Sequence, residues 1–267
     1  MDSLVPASTI LMVRNHPGLE VLMVERHHQI DFASGALVFP GGKVSGDDHR
    51  DEWAIHADGG FDGVERAFRV CAVREAFEES GLLLAREANA RGAGAPIVRA
   101  ERIAPLEGLR SAIDKGETSF LDTIRQAGLA LALDALTPYA HWITPAIMKK
   151  RFDTRFYIAA APASQEALCD GSETVDATWI APAAAMAAQK AGTRTIIFPT
   201  LMNVEMLGRS KTAEEAIAAA LARTIVTVIP ELSEENGARV LRIPAEAGYM
   251  LTVERLDGVM NTQVKSN

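Results

Sequence analysis

Short runs of β-branched and apolar residues alternate along this chain with stretches whose apolar positions recur at the helical period. Near the N-terminus "STILMVRN" and "LEVLMVERH" flank "HPG", which predicts a strand, a turn and a second strand. "GALVFPGGK" predicts a third, short strand ending in a Pro-Gly-Gly turn. Residues 43–63 are polar, rich in Asp and Gly and without periodicity, so an exposed loop is expected there. "VERAFRVCAVREAFEES" then sets Val70, Val73 and Phe77 on one helical face, with Gly81 suited to the C-terminal stop.

From about residue 84 to 133 the chain is rich in Ala, Leu and Arg at helical spacing, broken at "RGAGAP" and "DKGETS", and reads as two or three inserted helices. "TPYAHWITP", "RFDTRFYIAAAP" and "ETVDATWIAP" predict three more strands. "PAAAMAAQKAG" and "TLMNVEMLGRSKTAEEAIAAALAR" are helical, with Thr212 as an N-cap and Glu214 and Glu215 in the favoured first turn. "TIVTVIPEL" and "ARVLRIP" predict short strands of a C-terminal extension. With no internal repeat and no Pro/Ser-rich linker, residues 1–267 are expected to form one domain with insertions.

Composition narrows the picture without deciding it. With 267 residues, 48% hydrophobic and 23% charged, the chain is an ordinary globular one with ample core-forming capacity. A net charge of −8 and no Lys/Arg stripe argue against a nucleic-acid partner, and an anionic small molecule would need local cations or metal ions. No apolar run approaches the roughly 18 residues of a membrane span, and "MDSLVPAST" lacks a secretory signal's basic start. The expected setting is therefore the cytoplasm, with no membrane partner. Cys71 and Cys169 are too few for a disulfide framework; Cys71 reads as a small core residue. His27, His28, His141 and Trp53 have no spacing that demands chemistry and read as surface or packing residues.

"REAFEESG", residues 74–81, is where chemistry concentrates. Glu75, Glu78 and Glu79 share an arc of about 100° on a helix and would repel one another. Arg74 can relieve one of these repulsions, through its i,i+4 relation to Glu78, but not all of them. A solvated acidic face is one reading; a hard divalent cation held by oxygen ligands is the other.

The company of this segment favours the second. "FPGGK" upstream and Arg-Glu-x-x-Glu-Glu-x-Gly downstream together resemble the Nudix box, so the chain resembles the Nudix hydrolase superfamily. The family pattern runs Gly, five residues, Glu, seven residues, then Arg-Glu-apolar-x-Glu-Glu-x-Gly-apolar. Arg74, Glu75, Ala76, Glu78, Glu79, Gly81 and Leu82 match its second half. Gly42 stands 32 positions before Arg74 where the family has 14, which places an 18-residue insertion in the loop 43–63. The upstream glutamate position falls on Arg66, beside Glu65.

The resemblance implies an α/β fold of the α+β kind, a Nudix α/β/α sandwich with a mixed sheet. It implies Mg²⁺- or Mn²⁺-dependent attack of water on the phosphoanhydride of a nucleoside diphosphate linked to a second moiety. Glu78 and Glu79 would be the principal metal ligands, Glu75 a further ligand or base, and Arg74 the residue that orients them; the backbone carbonyl at Gly41–Gly42 would complete the site. Glu173, six residues before Trp179, matches the position of a further carboxylate, as ligand or general base. "VERHHQIDFASGALVFPGG" partly resembles the motif ahead of the box in coenzyme A diphosphatases. The long insertion, "RFDTRFYIA" and "FPTLMNV" are similar to the peroxisomal-type acyl-coenzyme A diphosphatases, although the C-terminal "VKSN" is no peroxisomal address. A substrate of coenzyme A type would make Arg26, Arg151 and Arg155 phosphate-binding candidates. ADP-ribose or another nucleotide derivative is the alternative substrate, a non-catalytic nucleotide-sensing module the alternative class. The sequence leaves a homodimer open.

Overall fold

The computed structural model describes residues 4–26, 35–148, 150–168, 174–235 and 237–255, the side chains of Arg26, Thr174 and Val175 excepted. Strands β1 (Val5–Asn15) and β2 (Leu19–Arg26) make the expected antiparallel hairpin. The third expected strand divides: β3 (Leu37–Val38) pairs with β2, while β4 (Gly41–Lys43) pairs with β1. Pro40, which has no N–H to give a ladder, sits at the break and accepts a bond from the Ile10 amide. Gly41 and Gly42 are thus strand residues, not a free turn.

Residues 43–63 are not the exposed loop their composition predicts. A 3-10 turn at Asp47–His49 and a short helix, α1 (Trp53–His56), fold inward, with Asp48 and Trp53 buried. Polarity misleads here because Asp48 is neutralised by a guanidinium rather than by water. Helix α2 (Gly63–Ser80) follows. The Asp62 carboxylate accepts the Glu65 amide at its start, and Gly81, at φ +74°, closes its end by donating to Phe77 O. Val70, Val73 and Phe77 are fully buried as expected, and so are the charged residues of the last turns.

The helical stretch is bounded by a ladder that periodicity does not reveal: β5 (Ala85–Glu87) pairs with β6 (Leu129–Leu131). Between them lie α3 (Ala100–Ile103), α4 (Arg110–Asp114) and α5 (Phe120–Gln126). Ala and Leu favour helices only weakly, and closure of the two ends overrides that preference. Strands β7 (Thr137–Ile143), β8 (Phe152–Ala160) and β9 (Thr174–Ile180) are where the pattern places them. Helix α6 (Pro182–Lys190) is followed by α7 (Phe198–Leu207) and α8 (Ala213–Ala222), the latter capped as expected by Thr212, whose hydroxyl accepts the Glu215 amide. Of the C-terminal strands, β10 (Thr227–Val228) joins the main sheet, whereas β11 (Glu231–Glu235), β12 (Ala238–Arg242) and β13 (Val253–Arg255) form a small antiparallel sheet.

The main sheet runs β10-β7-β8-β1-β2-β3, with β4 also on β1 and β9 also on β2. Its β1–β8 and β7–β10 pairs are parallel and the others antiparallel, so the sheet is mixed. Side chains of β1 alternate between two cores. Ile10 and Met12 meet Val73 and Phe77 on the α2 side; Leu11 and Val13 meet Trp142, Phe198 and Met202 on the α7 and α8 side. The result is the expected α/β/α sandwich with a helical insertion. Among the described residues no helix is long and apolar enough to cross a membrane.

Trp53 links the inserted segment to this core. Its ring lies 5.6 Å from Phe120, which stacks 6.2 Å from Phe77 of α2, and its Nε1 donates to Asp47 O at 2.9 Å. Replacing Trp53 by Ala is expected to cost about 3–5 kcal/mol in urea unfolding. A loss within about 0.5 kcal/mol, the range of surface substitutions, would show that the segment is peripheral.

Candidate active site

Parallel and antiparallel register bring the two halves of the split motif together. Gly42 pairs with Ser8 of β1, and both lie under the last turns of α2. A Cβ on Gly42 would come within 2.4 Å of Glu75 Oε1, and one on Gly41 within 2.5 Å of Ser8 O. Only glycine permits both approaches. The Gly41 amide donates to Glu79 Oε2 at 3.0 Å, and the Cys71 thiol, buried as expected, points at Gly42 O from 3.7 Å.

Arg74 is the hub. Its Nε and Nη2 make a fork of 2.9 Å bonds to the two carboxylate oxygens of Asp48, and Nη2 also donates to Lys43 O. Nη1 reaches Glu78 Oε2 at 2.7 Å and Glu75 Oε1 at 2.9 Å. All these side chains are buried, with Asp48 fully enclosed. Burial works against the charge on Arg74, but Glu75 and Asp48 outweigh it and hold the guanidinium protonated more firmly than usual. Glu78 goes the opposite way. Burial pushes its pKa up to about 9; Arg74 opposes the rise, and the charges of Glu75, Asp114 and Asp48 add to it.

Further along, Arg110 of α4 donates through Nε and Nη2 to Glu78 O at 3.1 and 2.8 Å. A guanidinium at a helix C-terminus satisfies carbonyls that have no partner within the helix and complements its dipole. Sequence reasoning missed both Asp48 and Arg110. Asp48 sat in an aperiodic polar segment, and Arg110 in an Ala/Leu/Arg-rich stretch where every arginine looks alike.

The donor chemistry suits a hard divalent cation. Among the described residues Glu78 Oε1 is buried with no hydrogen-bond partner, and a bound ion is one way to satisfy such an oxygen. The cradle at Gly42 leaves room for the neighbouring Glu75 carboxylate. Among the described residues, however, no three carboxylate, imidazole or thiol groups are already arranged to hold a metal ion. Arg74 Nη1 stands between Glu75 and Glu78, and Glu79 is turned to the Gly41 amide. A cation binding here would compete with these two donors.

Other candidates lie around this centre. Glu65 does not approach Arg74: its carboxylate accepts from Arg69, Arg155 and Tyr157 at 2.7, 2.5 and 3.1 Å, while Arg66 turns to Asp51. Arg155 therefore carries an acidic partner, and its guanidinium also lies 4.0 Å over the Phe68 ring. Its register opposite Ser8, which also opposes Gly42, sets it two strand spacings, roughly 10 Å, from the glycine cradle on the same sheet face. Arg151 precedes β8 and donates to Thr144 O at 3.0 Å. Arg26 ends β2, but its side chain lies outside the described residues, as do Glu173, His27, His28 and Cys169. His141 sits between Asp153 and Thr227, a polar cross-strand packing contact.

Comparison with known proteins places this fold in a class. A crystal structure of a Nudix hydrolase from Alicyclobacillus acidocaldarius shares the fold with a TM-score of 0.69 and 26% identity, covering 82% of this chain and 97% of that one. Residues 61–207, more than half of the chain, match the family described as the NUDT19 Nudix domain, and the chain belongs to that family of Nudix hydrolases. Among curated relatives, the acyl-coenzyme A diphosphatase NUDT19 of Xenopus laevis is 26% identical over 209 residues, 64% of this chain and 55% of its own length. The Gallus gallus protein of the same name is 28% identical over 203 residues, 57% of this chain and 54% of its own. This chain thus spans about half the length of these relatives; for the Homo sapiens protein, at 24% identity, the figures are 93% of this chain and 77% of that one.

The raised pKa of Glu78 makes a pH prediction for the metal-free protein. A carboxyl whose folded pKa exceeds its unfolded value favours folding while protonated, and that contribution is lost as pH rises from the ordinary carboxylate range through about 9. Melting temperature in EDTA should therefore fall across this window, and Glu78→Gln, which mimics the protonated form, should flatten the fall. Equal slopes in parent and variant would refute the assignment.

Proposed function

We propose that this protein hydrolyses the pyrophosphate bond of a nucleoside diphosphate linked to a second moiety, using Mg²⁺ or Mn²⁺, with coenzyme A or an acyl-coenzyme A as substrate. The observation that carries this reading is the meeting of Gly41–Gly42 with Arg74, Glu75, Glu78 and Glu79 in one buried cluster. Family membership supports the reaction class, and the named activity of the vertebrate relatives supports the substrate.

In this reading Glu78 and Glu79, with Glu75 as a further ligand or base and the Gly42 carbonyl alongside, hold the cation. A divalent ion there offsets the pyrophosphate's charge, polarises its phosphoryl oxygen and lowers the pKa of a bound water. The remaining work falls to side chains of this chain. Arg74 holds Glu75 and Glu78 facing the centre until a cation displaces its Nη1 from them. Arg155 can exchange Glu65 for a substrate phosphate at the edge of the same sheet face, where exposure of about a third of its side chain leaves it reachable. Arg151 and Arg26 are the further phosphate-binding candidates, and Glu173 is the candidate base or additional ligand. A purely nucleotide-sensing module would have little use for so many buried glutamates.

A panel of coenzyme A, acyl-coenzyme A, ADP-ribose and a dinucleotide, each with Mg²⁺ and with Mn²⁺, tests this. Cleavage of coenzyme A or its acyl derivative into two phosphate monoesters is expected, and Glu78→Gln should lower kcat on the order of 100-fold or more. Coenzyme A and acyl-coenzyme A left intact while ADP-ribose is cut would contradict the substrate. Undiminished turnover by the variant would contradict the site.

A further inference from the structure

Arg74 makes its two-pronged contact with a residue that lies outside the motif altogether. The two-oxygen fork to Asp48 engages two of its nitrogens with one carboxylate, a geometry that fixes the guanidinium plane as well as its charge. Asp48 is itself held: its Oδ2 accepts the Ser45 amide at 2.8 Å and its own amide donates to Ser45 Oγ at 3.3 Å. Asp47, the next residue back, is pinned by the Ser119 hydroxyl and the Leu121 amide at the start of α5, and its carbonyl takes the Trp53 indole N–H. The segment inserted between Gly42 and Arg74 thus carries, near its start, a tethered carboxylate aimed at the motif arginine. Meanwhile the expected motif position holds Arg66, paired with Asp51, and neighbouring Glu65 is occupied by Arg69, Arg155 and Tyr157.

We propose that Asp48, delivered by the insertion, is the positioning residue that aims Arg74 and through it Glu75 and Glu78, supplying the carboxylate that the motif lacks at position 66. The inference rests on the metal-dependent reading above and adds a residue to it. Asp48 does not touch the cation or the substrate. With Asp48 in place, Nε and Nη2 are forked on its carboxylate while Nη1 reaches Glu75 and Glu78. Without its charge the guanidinium is free to turn its full fork onto those glutamates, and a metal ion must then displace a stronger competitor. Loss of Asp48 should therefore weaken metal binding even where the fold persists.

The experiment is a Mn²⁺ titration of the full chain without substrate, read by the electron paramagnetic resonance signal of free Mn²⁺, beside melting temperature and steady-state kinetics. Asp48→Asn, nearly isosteric, should raise the Mn²⁺ dissociation constant by about 10–100-fold and lower kcat at fixed Mn²⁺ by a similar factor, with KM changed far less. Trp53→Phe, which loosens the same segment without touching Arg74, should lower the melting temperature while leaving Mn²⁺ affinity within about twofold. Mn²⁺ affinity unchanged in Asp48→Asn overturns the proposal, as does an equal loss of affinity in Trp53→Phe, which would mark a merely structural role. If Asp48→Asn does not fold, Ser45→Ala, which removes only the hydroxyl holding the Asp48 amide, is read the same way. A severalfold weaker affinity supports the proposal and an unchanged one overturns it. A parent protein that neither binds Mn²⁺ nor cleaves any substrate of the panel overturns the proposed function and this inference with it; a parent that does both while Asp48→Asn matches it overturns the inference alone.

Discussion

Four carboxyl groups packed with one guanidinium, away from water, are the constraint around which this molecule is built. Asp48, Glu75, Glu78 and Glu79 are all buried, and Arg74 touches three of them directly. Charges removed from water are tolerable only with good geometry and with their remaining oxygens satisfied. The surrounding features answer that need. Glycines at 41 and 42 let the β4 backbone come close enough to give Glu79 an amide and Glu75 room. Arg110 satisfies a carbonyl at the end of the same helix. Among the described residues one oxygen of Glu78 stays without a partner, and burial, with the charges of Glu75, Asp114 and Asp48 adding to it against Arg74, raises its pKa.

Two insertions that look like additions to the fold are in fact its braces. The segment between Gly42 and α2 carries Asp48, and the helices between β5 and β6 carry Arg110, Ser119 and Phe120. They are locked to each other through Trp53 against Phe120, Arg50 with Ser119, and Asp47 with the start of α5. A second buried lock joins Arg86 of β5 to Asp58 and Asp134 at 2.7 and 2.5 Å. Phe77 stacked on Phe120 ties the assembly back to the apolar face of the carboxylate helix.

What could be seen in the sequence followed from local physics. Alternation located β1, β2, β7, β8 and β9, and the helical period with Gly81 at its end bounded α2 closely. The glutamate crowding and the paired glycines marked the centre, because steric and electrostatic demands there leave few residue choices. Hidden were features decided by distant partners. Asp48 and Trp53 look like loop residues until Arg74 and Phe120 are set beside them. The β5–β6 ladder has helical composition, and Glu65, adjacent in sequence to the expected glutamate, is taken up by Arg155 from a strand 90 residues away. No periodicity encodes such pairings.

The family and the cluster converge on one account, in which a crowded acidic turn is a cation site kept in shape by an arginine. Anomalous diffraction from crystals of the protein soaked in Mn²⁺ tests that claim most directly. The account predicts a Mn²⁺ peak bonded to Glu78 and to at least one of Glu75 and Glu79, close to the Gly42 carbonyl, with Arg74 drawn off the glutamates and still forked on Asp48. An empty carboxylate cluster at saturating Mn²⁺, with Arg74 Nη1 still between Glu75 and Glu78, would contradict it.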